Sequence, residues 1–285
     1  MRYQFILENR ETFEVSQACE VLKVSRSGFY SWLTRGSSKR AREDAEILEH
    51  IFEIHAESGG TYGSPRVHRA LVGRAIPCSR GRVERLMREN DIRSKSVKSF
   101  WRPQTTNSRH EQPVFENRLP DVDITRPNQV WVGDFTYLRV GQEWCYLAAV
   151  LDLYSRKVVG WAVGDRADAD LAIRALDNAL ETRPAPEIFH SDRGCQYASA
   201  AYREKLTRHG IEGSMSRKGN CYDNAAMESF FGTLKTERVY HESYETLRQL
   251  RASLFEYIEM FYNTQRLHSS IGYQSPRSFE EQAAA

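Results

Sequence analysis

The sequence predicts an α/β fold: a mixed five-stranded sheet with helices, preceded by all-α helix-turn-helix modules. Three observations predict it. Apolar residues recur at helical spacing over the first ninety positions, with turn and cap residues between them. From residue 128 the pattern changes to three strand-like runs separated by short turns. Beyond those runs helical and strand-like segments alternate.

Residues 12–34 read as two short helices. Val15, Ala18, Val21 and Leu22 form one stripe, Lys23-Val24-Ser25 the turn, and Phe29, Trp32 and Leu33 the next stripe. Residues 35–44 are polar and read as a linker, closing a first segment at 1–44. A second helical unit spans 45–93. Ile47, Ile51 and Ile54 carry its first helix, Ser64-Pro65 caps the second, and Gly73 suits its end. Ser79 caps the third, with Val83, Leu86 and Met87 inward and Arg80, Arg82, Arg85 and Arg88 on the other faces. This is the shape of a trihelical DNA-binding module, although a helical bundle with a charged surface reads the same way. Residues 94–127, rich in Ser, Lys, Asn and Pro, read as a linker.

The strand runs are Val130–Leu138, Trp144–Leu153 and Lys157–Val163, an antiparallel meander turning at Gly141-Gln142 and Tyr154-Ser155-Arg156. A helix over 169–181, a strand ending at Asp192, a helix over 198–209, a strand near 211–215 and a helix holding Glu228 follow. That order matches a ribonuclease H-like core, assigned to 128–240. A helical extension occupies 241–285, with one aromatic-rich helix over 244–262.

Net charge is +2, which by itself does not suggest nucleic acid. Between Arg66 and Arg109, however, twelve Lys/Arg face three acids, a local excess suited to phosphate contact. Five scattered cysteines without a C-x-x-C argue against a disulfide framework and a zinc site. No signal peptide is visible, and no apolar stretch reaches the ~18 residues of a membrane span, so a cytoplasmic setting is expected.

Asp134 lies inside an apolar run and Asp192 ends another. Burying such carboxylates is costly without a metal or a hydrogen-bond partner. Carboxylates are 38 of 285 residues, so spacing alone does not select a site. Context does: Asp134 and Asp192 fall on strands that neighbour each other at the sheet centre. On the third helix Met227, Phe230, Phe231 and Leu234 form the buried stripe. Glu228 and Lys235, seven apart, share its edge.

Here the chain resembles the DDE transposase and retroviral-type integrase superfamily, with thirty-five residues between the second Asp and the Glu and a cation seven beyond it. It is most similar to second-frame products of the insertion-sequence-three family. The matching segments are Val132–Tyr137, Asp152–Trp161, His190–Tyr197, Ser216–Phe231 and the C-terminal Tyr262-Asn263…Arg266…His268…Gly272-Tyr273…Ser275-Pro276, with Thr61-Tyr62-Gly63 in the helical module.

The resemblance implies a DNA transposase with Asp134, Asp192 and Glu228 as catalytic residues and ligands of two Mg²⁺ ions, Mn²⁺ being the expected substitute. Asp134 would bridge the ions. Water cleaves the element end, and the released 3′-hydroxyl attacks target DNA. Lys235, Arg66, Arg80, Arg82, Arg85, Arg217 and Lys218 are the expected DNA contacts. Expected partners are insertion-sequence ends, target DNA, further copies of the chain on DNA, and an upstream-frame protein, as a separate chain or a frameshift fusion. That protein would bring the leucine zipper, since no heptad segment is present here. Asp152, Asp223 and His190 read as structural neighbours of the site, Gly194 as a tight-turn residue, and Gln196 and Tyr197 as either packing or DNA contacts. Residues 216–220 read as a loop beside the site. The competing readings are a helix-turn-helix regulator and a nuclease of the same fold without strand transfer.

Overall fold

The computed structural model describes residues 1–35, 38–95, 113–217 and 224–284. Three short helices come first: α1 (Arg2–Glu8), α2 (Val15–Val21) and α3 (Arg26–Thr34). They enclose a small core of Ile6, Cys19 and Phe29. The first was not expected. Val21 and Leu33, expected inward, are exposed at 79% and 41%. Ser25 is the cap of α3 rather than a turn residue, its hydroxyl accepting from Gly28 N.

The polar stretch 35–44 is a linker only in part, because Ser38 caps a nineteen-residue helix, α4 (Lys39–Glu57). With α5 (Ser64–Gly73) and α6 (Arg80–Glu89) it forms a trihelical unit around Ile51, Ile54, Val67, Leu71, Val83 and Leu86. Gly63, not Ser64, is the N-cap of α5, so Pro65 falls in the first turn, where its missing N–H costs nothing. Ser79 caps α6 as expected.

The sheet comprises β1 (Val130–Val140), β2 (Glu143–Asp152), β3 (Val158–Gly164), β4 (Ile188–Ser191) and β5 (Glu212–Met215), in the order β3-β2-β1-β4-β5. The first three are antiparallel, and β4 and β5 run parallel to β1. Residues 113–127 are no free linker. Phe115 packs on Gly213, and Arg118 N donates to Ser214 Oγ at 2.9 Å, covering the β5 edge.

One sheet face carries α7 (Ala169–Thr182), α8 (Cys195–Ala198) and α9 (Ala200–Arg208) over Trp131, Phe189, Tyr197 and Tyr202. The inward side of α7 is largely alanine. A Cβ on Gly160 of β3 would lie 2.3 Å from Ala175 O, so helix and strand approach more closely than larger residues allow. The opposite face carries α10 (Ala225–Glu237) and α11 (Leu247–Phe255). The single helix expected over 244–262 starts later, at a Thr246/Gln249 capping box, and widens into a π-helix over Glu256–Tyr262. A last helix, α12 (Pro276–Ala283), ends the chain.

Candidate active site and nucleic-acid interface

Gly133 pairs with Ser191 across the parallel β1–β4 ladder. The next residue in each case is an aspartate, Asp134 within β1 and Asp192 just past the end of β4. β4 stops there and β1 continues. Asp192 turns the chain back: its Oδ1 accepts Gly194 N at 2.9 Å. A Cβ on Gly194 would lie 2.6 Å from Gln196 Oε1 and 2.9 Å from Asp192 Oδ1. The glycine therefore serves close approach, its φ of −65° being open to any residue.

Asp134 is oriented from two sides. Its Oδ1 accepts Phe135 N at 2.7 Å, and its Oδ2 accepts Asn224 Nδ2 at 2.9 Å. Burial, then the charges of Asp192 and Glu228, push the Asp134 carboxyl well above the ordinary carboxylate range, against the two hydrogen bonds. Asp192 and Glu228 thus both act on Asp134 electrostatically. They are not closed up: among the described residues no three His, Cys, Asp or Glu side chains stand close enough to hold one metal ion. Glu228 is exposed on the first turn of α10. Its stripe is as expected, with Met227, Phe230, Phe231 and Leu234 buried. Glu228 borders a cleft of about 620 Å³, lined by Thr61 of the helical module, by Lys95 just beyond it and by Ser229, Gly232 and Thr233 of α10.

Asn224 escaped the sequence reading. It precedes α10, yet its side chain caps nothing. Its amide faces Asp134, and its buried Oδ1 has no hydrogen-bond partner among the described residues. The available signals were its place within the matching segment Ser216–Phe231 and four residues before Glu228, the latter reading equally well as a helix cap.

The structural neighbours separate clearly. Asp152 is fully buried and accepts Asn128 N at 2.7 Å and Tyr154 N at 2.9 Å, so it fastens the β2–β3 turn. His190 is held between Ser214 Oγ (2.8 Å) and Ser216 Oγ (3.1 Å), engaging both ring nitrogens. Tyr197 packs on Phe135, Phe189 and Tyr202, while Gln196 Nε2 donates to Ala167 O. Asp223 and Lys218 lie outside the described residues.

The expected DNA contacts divide. Arg66 sits at a joint: its Nε donates to Leu267 O at 2.9 Å, while Tyr62 Oη accepts Leu267 N at 2.7 Å and donates to Gln265 O. Arg82 and Arg85 grip Asp44 at 2.6 and 2.7 Å, and Arg80 pairs with Glu84 at 2.9 Å. The hydrogen bonds from Arg82 and Arg85 hold Asp44 below the ordinary carboxylate range. Any phosphate reaching these guanidinia competes with a carboxylate. Arg217 is exposed beside the site. Lys235 Nζ lies 3.9 Å from the Tyr137 ring centre.

A mixed five-stranded sheet in this order, with helices on both faces, is a ribonuclease H-like core of the integrase kind. Integrase core domain models match residues 124–221 and 228–283, and an HTH-like domain model matches 41–100. The chain is 40% identical over 292 aligned positions, covering 100% of both chains, to transposase InsF of insertion sequence IS3A from Escherichia coli (strain K12). It is 42% identical over 266 positions, 92% of this chain and 97% of the relative, to the 31 kDa protein of insertion element IS600 from Shigella sonnei. The chain belongs to the IS3 family of transposases, enzymes of the DDE transposase and integrase class. Among solved structures, a simian T-cell lymphotropic virus intasome in complex with PP2A regulatory subunit B56 gamma aligns at TM-score 0.49 and 17% identity, over 81% of this chain and 74% of that one. The HTLV-2 integrase catalytic core domain in complex with magnesium aligns at 0.43 and 16%, over 54% and 97%.

Proposed function

We propose that this chain cuts DNA at the ends of its insertion sequence and joins the exposed 3′-hydroxyl to target DNA, with Asp134, Asp192 and Glu228 as the acidic triad. The observation that supports this reading is that Asp134 and Asp192 each follow the last residue pair of the β1–β4 ladder, Gly133 and Ser191, and that the charges of Asp192 and Glu228 both raise the Asp134 carboxyl.

The donors are all hard oxygens, and the crowding of negative charge on a half-buried carboxylate suits a divalent cation. Asp134, Asp192 and Glu228 would hold two Mg²⁺ ions, or Mn²⁺ in their place. When bound, these supply Lewis acidity at phosphorus and lower the pKa of water. The chain supplies the geometry. Phe135 N and Asn224 fix the Asp134 carboxylate, and Gly194 N fixes Asp192. Glu228 must swing inward from its exposed position to complete the set.

Within this reading the trihelical unit 45–93 binds the element ends, aided by Arg80, Arg82 and Arg85 once released from their acids. Lys235, Arg217 and Lys218 approach the strand at the site. Residues 128–240 form the catalytic core, 1–44 and 241–285 flanking it, with 94–127 between core and trihelical unit. The chain acts as an oligomer on cytoplasmic DNA, together with its upstream-frame partner.

The test is cleavage and joining of labelled element-end DNA in Mg²⁺ by the parent, Asp134→Asn and Glu228→Gln, with the upstream-frame protein present. Joined products are expected from the parent alone, with DNA binding retained in all three. Joining by either variant would remove that residue from the triad. Cutting without joining would make the chain a nuclease.

A further inference from the structure

Beyond the acids, the hairpin of β1 and β2 carries an aromatic and cationic cluster that the proposed chemistry does not use. Trp144 stands opposite Arg139 in the ladder and keeps 48% of its surface exposed. The Tyr137 ring meets it in a T-shape, with centres 5.1 Å apart. The Arg139 guanidinium lies 5.5 Å from the indole centre and is fixed there by Gly141 O at 3.3 Å and Gln142 Oε1 at 2.8 Å. From α10, Lys235 brings its ammonium to 3.9 Å from Tyr137. Two rings and two cations therefore form one cluster, exposed at Trp144 and Arg139 and half-buried at Tyr137 and Lys235.

Its position connects it to the site. β4 ends opposite Gly133, so among the described residues no strand pairs with this edge of β1 from Asp134 onward. Lys235 lies seven residues after Glu228 on the same helix, about 10 Å along its axis. That is roughly three base steps of a DNA strand at about 3.4 Å each.

We infer that Trp144, with Tyr137, Arg139 and Lys235, is a stacking platform for an unpaired nucleobase of the DNA strand whose phosphate lies at the acidic site. The surface suits such a partner. An exposed indole offers a π-face to any base, and the neighbouring cations neutralise the phosphates on either side. This inference rests on the transposase reading and names where the strand runs beyond the scissile bond.

The experiment uses a 25-base-pair duplex of the element's terminal sequence, its last three pairs mismatched. 2-Aminopurine is placed at each of the last five positions in turn. The protein carries Asp134→Asn so that the strand stays whole. Quenching is expected at one position, within about three nucleotides of the cleavage point. It disappears with Trp144→Ala and persists with Trp144→Phe. In the Asp134 background joining by Trp144→Ala falls roughly 5- to 150-fold, the size of one base–aromatic stack, with Trp144→Phe rescuing most of it. Quenching that Trp144→Ala leaves unchanged overturns the inference. So does a Trp144→Ala protein that loses self-association in sedimentation while fluorescence and joining hold, since the surface then belongs to a second copy. If the parent never joins DNA, the transposase reading falls while the fluorescence still decides the platform.

Discussion

Asn224 shows what a neutral side chain contributes among three acids. Its Nδ2 holds one Asp134 oxygen at 2.9 Å, and its Oδ1 is a buried acceptor beside the same carboxylate. Groups that orient a metal ligand commonly alter metal affinity 10- to 100-fold when removed. Asn224→Ala is therefore expected to weaken Mn²⁺ binding by that factor, followed by calorimetric or spin-resonance titration, with Asn224→Asp failing to restore it because a fourth charge cannot donate to Asp134. Unchanged Mn²⁺ affinity in Asn224→Ala would leave the amide a purely structural role. The neighbouring positions of Asp134 and Asp192 were legible because a carboxylate within or at the end of an apolar strand run demands an explanation. An asparagine before a helix does not, since it reads as a cap. The basic residues were the least legible. Sequence shows that Arg66, Arg82 and Arg85 are charged, but Leu267 O and Asp44 lie 201 and 38–41 positions away, and those partners determine whether a guanidinium is offered to DNA.

Strands and helices with a continuous apolar pattern were read closely, because burial on one face imposes the period that the sequence then displays. Where tertiary contact overrides local signal, the reading failed. α1 has no side-chain cap and buries only Ile6, too little to register as a stripe. The π-helix is set by packing: it turns Tyr257, Ile258 and Tyr262 inward beneath α10. There, Arg266 donates to both oxygens of Glu237, at 2.8 and 2.6 Å, and Tyr257 Oη donates at 2.7 Å. This buried ion pair fastens the C-terminal segment to α10. Glu237→Gln leaves Arg266 charged and uncompensated, a change that costs about 3–5 kcal/mol in comparable sites. Chemical denaturation should show that loss, with Glu237→Asp recovering part of it. A loss under 1 kcal/mol would mean that Arg266 finds water in the adjoining cleft. At the other face, Gly160→Ala should cost about 1–3 kcal/mol by forcing α7 off β3.

For the molecule as a whole, the site works against the fold that builds it. Every core contact that brings β1, β4 and α10 together also concentrates negative charge at Asp134, whose carboxyl is raised first by burial and then by Asp192 and Glu228. A carboxyl raised on folding favours the protonated form. Its stabilising contribution is fully present below the unfolded pKa of about 3.9 and is lost as pH rises through the folded value. The metal-free protein should therefore carry a penalty at neutral pH that Asp134→Asn removes. Glu280 titrates in the opposite sense: burial raises it, but hydrogen bonds from Arg183 and Ser155 outweigh that and hold it low, so its contribution is lost as pH falls. Comparing parent with Asp134→Asn at each pH cancels that background. The expected result is a metal-free parent less stable than Asp134→Asn at pH 8, with the gap closing towards pH 4. Mg²⁺ should then stabilise the parent increasingly as pH rises, by about 2.7 kcal/mol at a hundredfold excess over its Kd, and leave Asp134→Asn nearly unmoved. Thermal melts across pH 4–8, with and without Mg²⁺, measure both. A parent that Mg²⁺ stabilises equally at every pH would show that the ion is held away from Asp134, and the acidic pair would lose its place at the centre of the reaction.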